Sequence, residues 1–224
     1  MNYPEKSDFA YNQDYYISHY GRIFADEQYY KLLSLYWKEA IFDANSIDHQ
    51  VSVLDYGCGL GQVSASLANV TYFDTSEFAV KFLKERGKKV VNSLENIPQN
   101  EFDFILSSHS LEHSPTPRDD LQKFHDYVKK SGKLILILPI EVYLKPNLKP
   151  DNDQHFYCWT FQTITNLLRH CGWHPIFQDR LYGPFLLHKL GSVFSEKEAV
   201  KIAYYLGNFK KNYPSIMTIA KSIK

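Results

Sequence analysis

Long hydrophobic runs are missing from this sequence. The longest, Leu134–Leu138 (LILIL), falls far short of the roughly 20 apolar residues that a membrane-spanning helix needs. The opening MNYPEKSDFAYNQ lacks the basic start and apolar core of a secretion signal. A cytoplasmic protein with no membrane partner is the expectation. Cysteine is scarce as well: Cys58, Cys158 and Cys171 are odd in number and share no CxxC spacing, which argues against a disulfide framework or a zinc knuckle and predicts reduced thiols. Net charge is absent, with 25 Lys+Arg against 25 Asp+Glu. No global field is available to hold a polyanion, so nucleic acid is not expected as a partner.

What the sequence does contain is the alternation of two periodicities. At 224 residues it has room for one sizeable core, and it shows no repeat and no low-complexity tract. Val51–Asp55, Val70–Phe73, Phe102–Ser107 and Lys133–Leu138 are short and nearly continuous in hydrophobicity, as strands covered on both faces should be. Between them, Ser76 can cap a helix ending near Gly87. Asp119 can cap another, with Leu121, Phe124 and Val128 inward and Ser131-Gly132 as its stop. Further on, Thr160 opens a helix bearing Ile164, Leu167, Leu168 and Cys171 and ending at Gly172; a strand follows near Pro175–Leu181. Ser195 and Glu198 form a capping box for a helix ending at Gly207, and SIMTIAKSIK reads as a last strand. The fold class is therefore α/β.

The first forty-odd residues differ in kind. Tyr3, Tyr11, Tyr15, Tyr16, Tyr20, Tyr29, Tyr30 and Tyr36 crowd this segment, and Asp26–Phe42 has the Leu, Tyr and Trp37 content of a helix packed on the core. Residues 1–45 are expected to form a Tyr-rich helical lid. Residues 46–224 are expected to form the main domain, with a helical insertion at about 186–210.

The stretch VLDYGCGLGQ, Val53–Gln62, follows the first expected strand. A glycine-rich turn there lets the backbone approach a ligand at the strand's C-terminal edge. The dinucleotide pattern GxGxxG fails in both registers, because Gln62 and Ser64 stand where glycine is required, and no GK[ST] follows. What remains is Asp55, Gly57, Gly59 and Gly61, with Asp74 at the end of the next strand. An acid there is placed to accept hydrogen bonds from a ribose diol. The ligand is read as one that carries a ribose but presents no pyrophosphate.

At this point the residues resemble a known family. VLDYGCGLG, YFDTS, LENIPQNEFDFILSSHSLEH, VKKSGKLILILP and HFYCWTFQTITNLLRHCGW look, in that order, like the successive motifs of class I S-adenosylmethionine-dependent methyltransferases, especially small bacterial members acting on metabolites or sugars. The resemblance covers roughly residues 50–182. It implies a doubly wound, mostly parallel seven-stranded Rossmann-like sheet whose last strand is antiparallel, and S-adenosyl-L-methionine as cofactor. By the same resemblance, Asp55 and the turn Gly57, Cys58, Gly59 and Gly61 would hold the methionine end and ribose. Asp74 would bind the ribose hydroxyls, with Thr75 at the adenine edge. Ser93 stands where members commonly carry an Asp for the adenine, so that contact would fall to Ser93, Leu94 or Asn92. Ser108 would lie near the sulfonium, and Tyr20 would reach the cofactor from the lid.

Methyl transfer asks for collinear geometry first, because the sulfonium is already activated; a hydroxyl acceptor must also lose its proton. SSHSLEH offers His113 and His109 as bases, and His155 in DNDQHFY is a third candidate. Aromatic residues of the lid and the loop Pro139–Tyr157 suit a small polar acceptor, most simply a hydroxyl of a sugar, glycan precursor or secondary metabolite. Transfer to nitrogen or carbon is an alternative, as is an inactive cofactor-binding accessory subunit. Metal-assisted 2′-O-methyl transfer to RNA is a further reading of His109, Glu112, His113 and His155. His109 in place of a glutamate, the zero net charge and the lack of an arginine-rich stretch weigh against it, and no metal ligand is assigned. A monomer or homodimer is expected.

Overall fold

The computed structural model describes residues 11–141 and 153–223. Tyr3, Pro146 and Pro150 lie outside them, as does most of the loop expected to wall the acceptor pocket. Two helices come first, α1 (Gln13–Ala25) and α2 (Glu27–Trp37), the second continuing into a π-helical stretch, Lys38–Asp43. Then follow β1 (Val53–Tyr56), β2 (Val70–Phe73), α3 (Glu77–Glu85), β3 (Lys89–Val91), β4 (Phe102–Ser108), α4 (Pro117–Tyr127) and β5 (Val128–Pro139). The chain ends with α5 (Phe161–His170), β6 (Trp173–Leu181), α6 (Leu187–Gly191), α7 (Glu196–Lys210) and β7 (Ser215–Ser222).

The strands make one seven-stranded sheet in the order β3-β2-β1-β4-β5-β7-β6. β1 to β5 pair in parallel, and β7 runs antiparallel between β5 and β6. This is the doubly wound sheet with an antiparallel last strand that the motifs imply. Its two faces explain the near-continuous hydrophobicity of the strands. Along β5, Ile135 and Ile137 join one buried cluster, while Leu134, Leu136 and Leu138 join the other. Each such side chain, fully buried, contributes about 1.5–3 kcal/mol.

Helix punctuation matches the expectation at three caps: Ser76 accepts from the Ala79 N–H, Thr160 from Thr163, and Ser195 forms its capping box with Glu198. Two expected stops are corrected. The fourth helix begins at Pro117 after Thr116, leaving Asp119 in its first turn, and it ends at Tyr127. Ser131-Gly132 lies inside β5, where a Cβ on Gly132 would come within 3.0 Å of the Lys129 and Phe102 carbonyl oxygens. Gly207 likewise does not end α7, which runs on to Lys210.

The N-terminal helices are part of the core rather than an appendage. Tyr16, Ile23, Tyr30, Leu33 and Tyr36 share a buried cluster with Val53, Leu60 and Leu106. The Tyr30 hydroxyl donates to the Leu60 carbonyl at 3.0 Å, and Tyr36 donates to that of Tyr182 at 2.7 Å. In this way α2 is held against both the glycine turn and the chain leaving β6. No helix among the described residues is long and apolar enough to cross a membrane.

Candidate active site

The C-terminal ends of β1, β2 and β4 open into a cavity of about 350 Å³, roofed by tyrosines of α1 and the residues before it. Such a crevice is where parallel α/β sheets bind ligands. At its floor the turn after β1 takes left-handed backbone at all three glycines, with φ of 67° at Gly57, 52° at Gly59 and 72° at Gly61. They do different jobs. A Cβ at Gly57 would stand 2.5 Å from that of Ser110, and one at Gly61 would meet Leu83 and Tyr72 under 3.0 Å. At Gly59 the nearest atom is 3.7 Å away, on Tyr16, so a side chain here would meet only ordinary contact at the cavity's edge.

Asp74, at the end of β2, accepts from the Gly59 N–H at 2.7 Å and from the Ser76 N–H at 2.8 Å. Each carboxylate oxygen keeps a further lone pair for a ligand hydroxyl. Burial pushes its carboxyl above the usual range, opposed by those backbone donors. Asp55 is also buried and accepts from the Ser64 hydroxyl; burial pushes its carboxyl up to about 7. Gln62 lines the same cavity, and its buried Oε1 has no hydrogen-bond partner. An unsatisfied buried acceptor of this kind costs about 1–3 kcal/mol, so it marks where a ligand donor fits.

Of the residues singled out in the sequence, Asp55, Gly57, Cys58, Gly59, Asp74, Thr75, Ser108, Tyr20, His109 and His113 all line this cavity. Gly61 does not; it turns into the packing beneath. Ser93 and Leu94 line neither the cavity nor the shallower one beside it, which is bounded by Asp74, Thr75 and Asn92. His155 stands behind the wall, edge-on to His113 with ring centroids 4.7 Å apart. Three further residues line the cavity without having stood out in the sequence as site residues: Ser110, Asp120 and Gln62. Only the proximity of Ser110 to the conspicuous SSH motif could have signalled it.

His109 follows β4 in left-handed backbone, φ 50°, its N–H held by the Ile137 carbonyl. Its Nε2 is 3.2 Å from the Ser215 hydroxyl. The Tyr11 hydroxyl pairs with His113 Nδ1 at 2.9 Å. Glu112 between them is fully buried, and neither of its carboxylate oxygens has a hydrogen-bond partner. Burial, with a smaller push from the Glu141 charge, raises its carboxyl to about 8.

Residues 54–136, which carry this turn, Asp74 and the histidine wall, match a family model described as a methyltransferase domain. Over these residues the chain carries a methyltransferase domain. Comparison with curated protein sequences gives no match. Among solved structures, the methyltransferase resembles the Burkholderia thailandensis 1,6-didemethyltoxoflavin-N1-methyltransferase, crystallised with that substrate and S-adenosylhomocysteine (18% identity, TM-score 0.59, covering 100% of this chain and 92% of that one). It also resembles a Thermotoga maritima methyltransferase described as a possible histamine N-methyltransferase (18% identity, TM-score 0.61, 93% and 97% covered). A third likeness is to the Haemonchus contortus phosphoethanolamine N-methyltransferase 2 (15% identity, TM-score 0.54, 86% of this chain and 52% of that one). At these identities the likeness is one of fold.

Proposed function

We propose that this methyltransferase moves a methyl group from S-adenosylmethionine to a hydroxyl of a small polar acceptor, such as a sugar, a glycan precursor or a secondary metabolite. The observation that carries the reading is the single cavity shared by Asp74, the Gly59 backbone and the histidine wall. When bound, the cofactor supplies a methyl on a positively charged sulfur, which needs no further activation. The fit is chemical: Asp74 has lone pairs for the ribose hydroxyls, and the unpaired Gln62 Oε1 suits an ammonium. Thr75 and Asn92 border the adenine side in this reading.

The protein's own part is then to hold the acceptor in line and take its proton. Tyr11, Tyr15 and Tyr20 offer ring faces and hydroxyls to an acceptor, a mixture suited to a polar ring compound. His113, His109 and His155 are the candidate bases for that proton; burial, with the neighbouring His155 and His113, holds the His109 imidazole down to about 4, which makes it the weakest acceptor at neutral pH. A nitrogen acceptor is the second reading, favoured by the three similar structures, two described as N-methyltransferases and one as a possible N-methyltransferase. It predicts that no histidine variant lowers turnover, since a neutral amine needs no base.

Calorimetric titration with S-adenosylhomocysteine tests the cofactor half. Micromolar affinity is expected, weakened about tenfold or more by Asp74→Ala through loss of acceptor hydrogen bonds. No binding at millimolar ligand would move an accessory, non-catalytic role to first place.

A further inference from the structure

Three pieces of chain meet behind the histidine wall. One is the short 3-10 turn Leu111–His113, another is Glu141 just past β5, and the third is the segment entering α5. The Phe156 N–H donates to the Glu112 carbonyl at 2.9 Å, and this bond brings His155 against His113. One ligand atom from each of Glu112, His113 and His155 lies within 4.8 Å of the other two.

Glu112 is the anomaly in this cluster. It is 0% exposed, both its oxygens lack hydrogen-bond partners, and His109 Nδ1, at 3.6 Å, is beyond hydrogen-bond reach. A buried carboxyl group whose oxygens have no partner is a costly arrangement for a fold to hold, and a bound cation removes the cost. The two rings beside it are each oriented through Nδ1, His113 by the Tyr11 hydroxyl at 2.9 Å and His155 by Glu141 at 2.8 Å. Outer partners of this kind, a carboxylate above all, are what fix metal-binding imidazoles.

We propose that Glu112, His113 and His155 form a binding site for one divalent first-row transition ion, with zinc as the type ion. Two imidazoles and a carboxylate are a three-ligand set that leaves a coordination position open. Ligand atoms on a common zinc stand about 3.3 Å apart, so small side-chain rotations close the present spacing. The sequence assigns no metal ligand, since His109 stands in place of a glutamate and the chain has neither net positive charge nor an arginine-rich stretch. The structure assembles three ligands without His109.

Of the three, His113 lines the cavity, so the open position would be filled from that side by water or by an acceptor oxygen, whose proton the ion makes more acidic. That role rests on the methyl-transfer reading; the site itself does not.

The test uses the full chain stripped with chelator and titrated with Zn2+ and with Co2+, followed by calorimetry and by visible absorption for cobalt. The expected result is one ion per chain, bound at least tenfold more weakly by Glu112→Gln and by His155→Ala, while S-adenosylhomocysteine affinity stays within about twofold. Zinc should raise the thermal midpoint of the wild type and not that of Glu112→Gln. If Glu112→Gln does not fold, Glu141→Ala is the second variant, expected to weaken zinc about tenfold through loss of its hold on His155. No saturable binding of either ion, or binding indifferent to all these variants, overturns the site. Zinc binding without S-adenosylhomocysteine binding would instead sink the methyl-transfer reading and leave the site standing.

Discussion

The backbone N–H of Gly59 donates to the Asp74 carboxylate at 2.7 Å, so the glycine turn after β1 and the acid after β2 are one unit before any ligand arrives. The other oxygen of Asp74 holds the Ser76 N–H, at the start of α3. Replacing the acid by its amide, Asp74→Asn, turns an NH2 group toward one of these donors. One hydrogen bond is lost and two donors face each other in a buried place. We expect about 1–3 kcal/mol less stability in urea unfolding without ligand, a cost distinct from any loss of cofactor affinity. Unchanged stability would mean that the turn is ordered by its glycines alone.

Gly57 and Gly87 separate two costs that are usually confounded. Both have positive φ, 67° and 68°, but a Cβ meets Ser110 at 2.5 Å in the first and nothing within 4 Å in the second. Gly87→Ala should cost about 1–2 kcal/mol, the backbone term alone. Gly57→Ala should cost more and also abolish S-adenosylhomocysteine binding, because the clash moves the cavity floor. Equal losses in chemical unfolding would show that the Ser110 contact yields without penalty.

Gly207→Ala should run against helix propensity. Alanine in a helix interior normally gains about 1 kcal/mol over glycine. Here the added methyl would sit 2.4 Å from the Gly183 carbonyl oxygen and 3.3 Å from the Tyr36 hydroxyl, at the contact that seats α7 beside α2. A lowered thermal midpoint is expected; a raised one would mean that this packing is loose.

The same glycine shows where the sequence was readable and where it was not. Caps are local chemistry, so Ser76, Thr160 and Ser195 identify their helices from three or four neighbouring residues. The span Val70–Phe73 matches β2, because covering by both layers makes a strand apolar on every residue. Gly132 and Gly207 mislead because a glycine that stops a helix and one that makes room for a distant backbone look alike in sequence. Within the site, Asp74 and the glycine turn were visible as a motif with known spacing. Ser93 and Leu94 were carried across from the resemblance at a position where this chain departs from it, and they do not line the cavity. The isolation of Glu112 was invisible, since it depends on Phe156 joining the turn 44 residues before it.

Asp55 gives stability a pH dependence of determinate sign. Burial raises its carboxyl to about 7, against 3.8 for the ordinary group, despite the Ser64 hydroxyl bond. The folded chain therefore holds this proton more tightly than the unfolded one. Its contribution is complete below about pH 4 and is lost as pH rises through about 7. Asp55→Asn keeps an acceptor for Ser64 and removes the ionisation. From pH 5 to 8, the urea midpoint of the wild type should fall relative to that of the variant. Parallel profiles would show that Asp55 stays ionised throughout.

The two N-terminal helices beside the cavity are not equally free to move. Helix α2 is tied down by Tyr30 to Leu60, Tyr36 to Tyr182 and the Lys31–Glu196 ion pair at 2.7 Å. Helix α1 is kinked at Tyr20 and supplies Tyr15, Tyr16 and Tyr20 to the cavity; the chain just before it adds Tyr11, whose carbonyl accepts from the Ser76 hydroxyl. The mobile part of the lid should therefore be residues 11–25 rather than the whole N-terminal segment. Amide hydrogen exchange reads this directly. Saturating S-adenosylhomocysteine should slow exchange across Gln13–Ala25 by tenfold or more and leave Glu27–Trp37 unchanged, because α2 is already protected by the core. Equal slowing in both helices would mean that they move as one body. No slowing in either would mean that ligand enters past the other wall, beside the histidines.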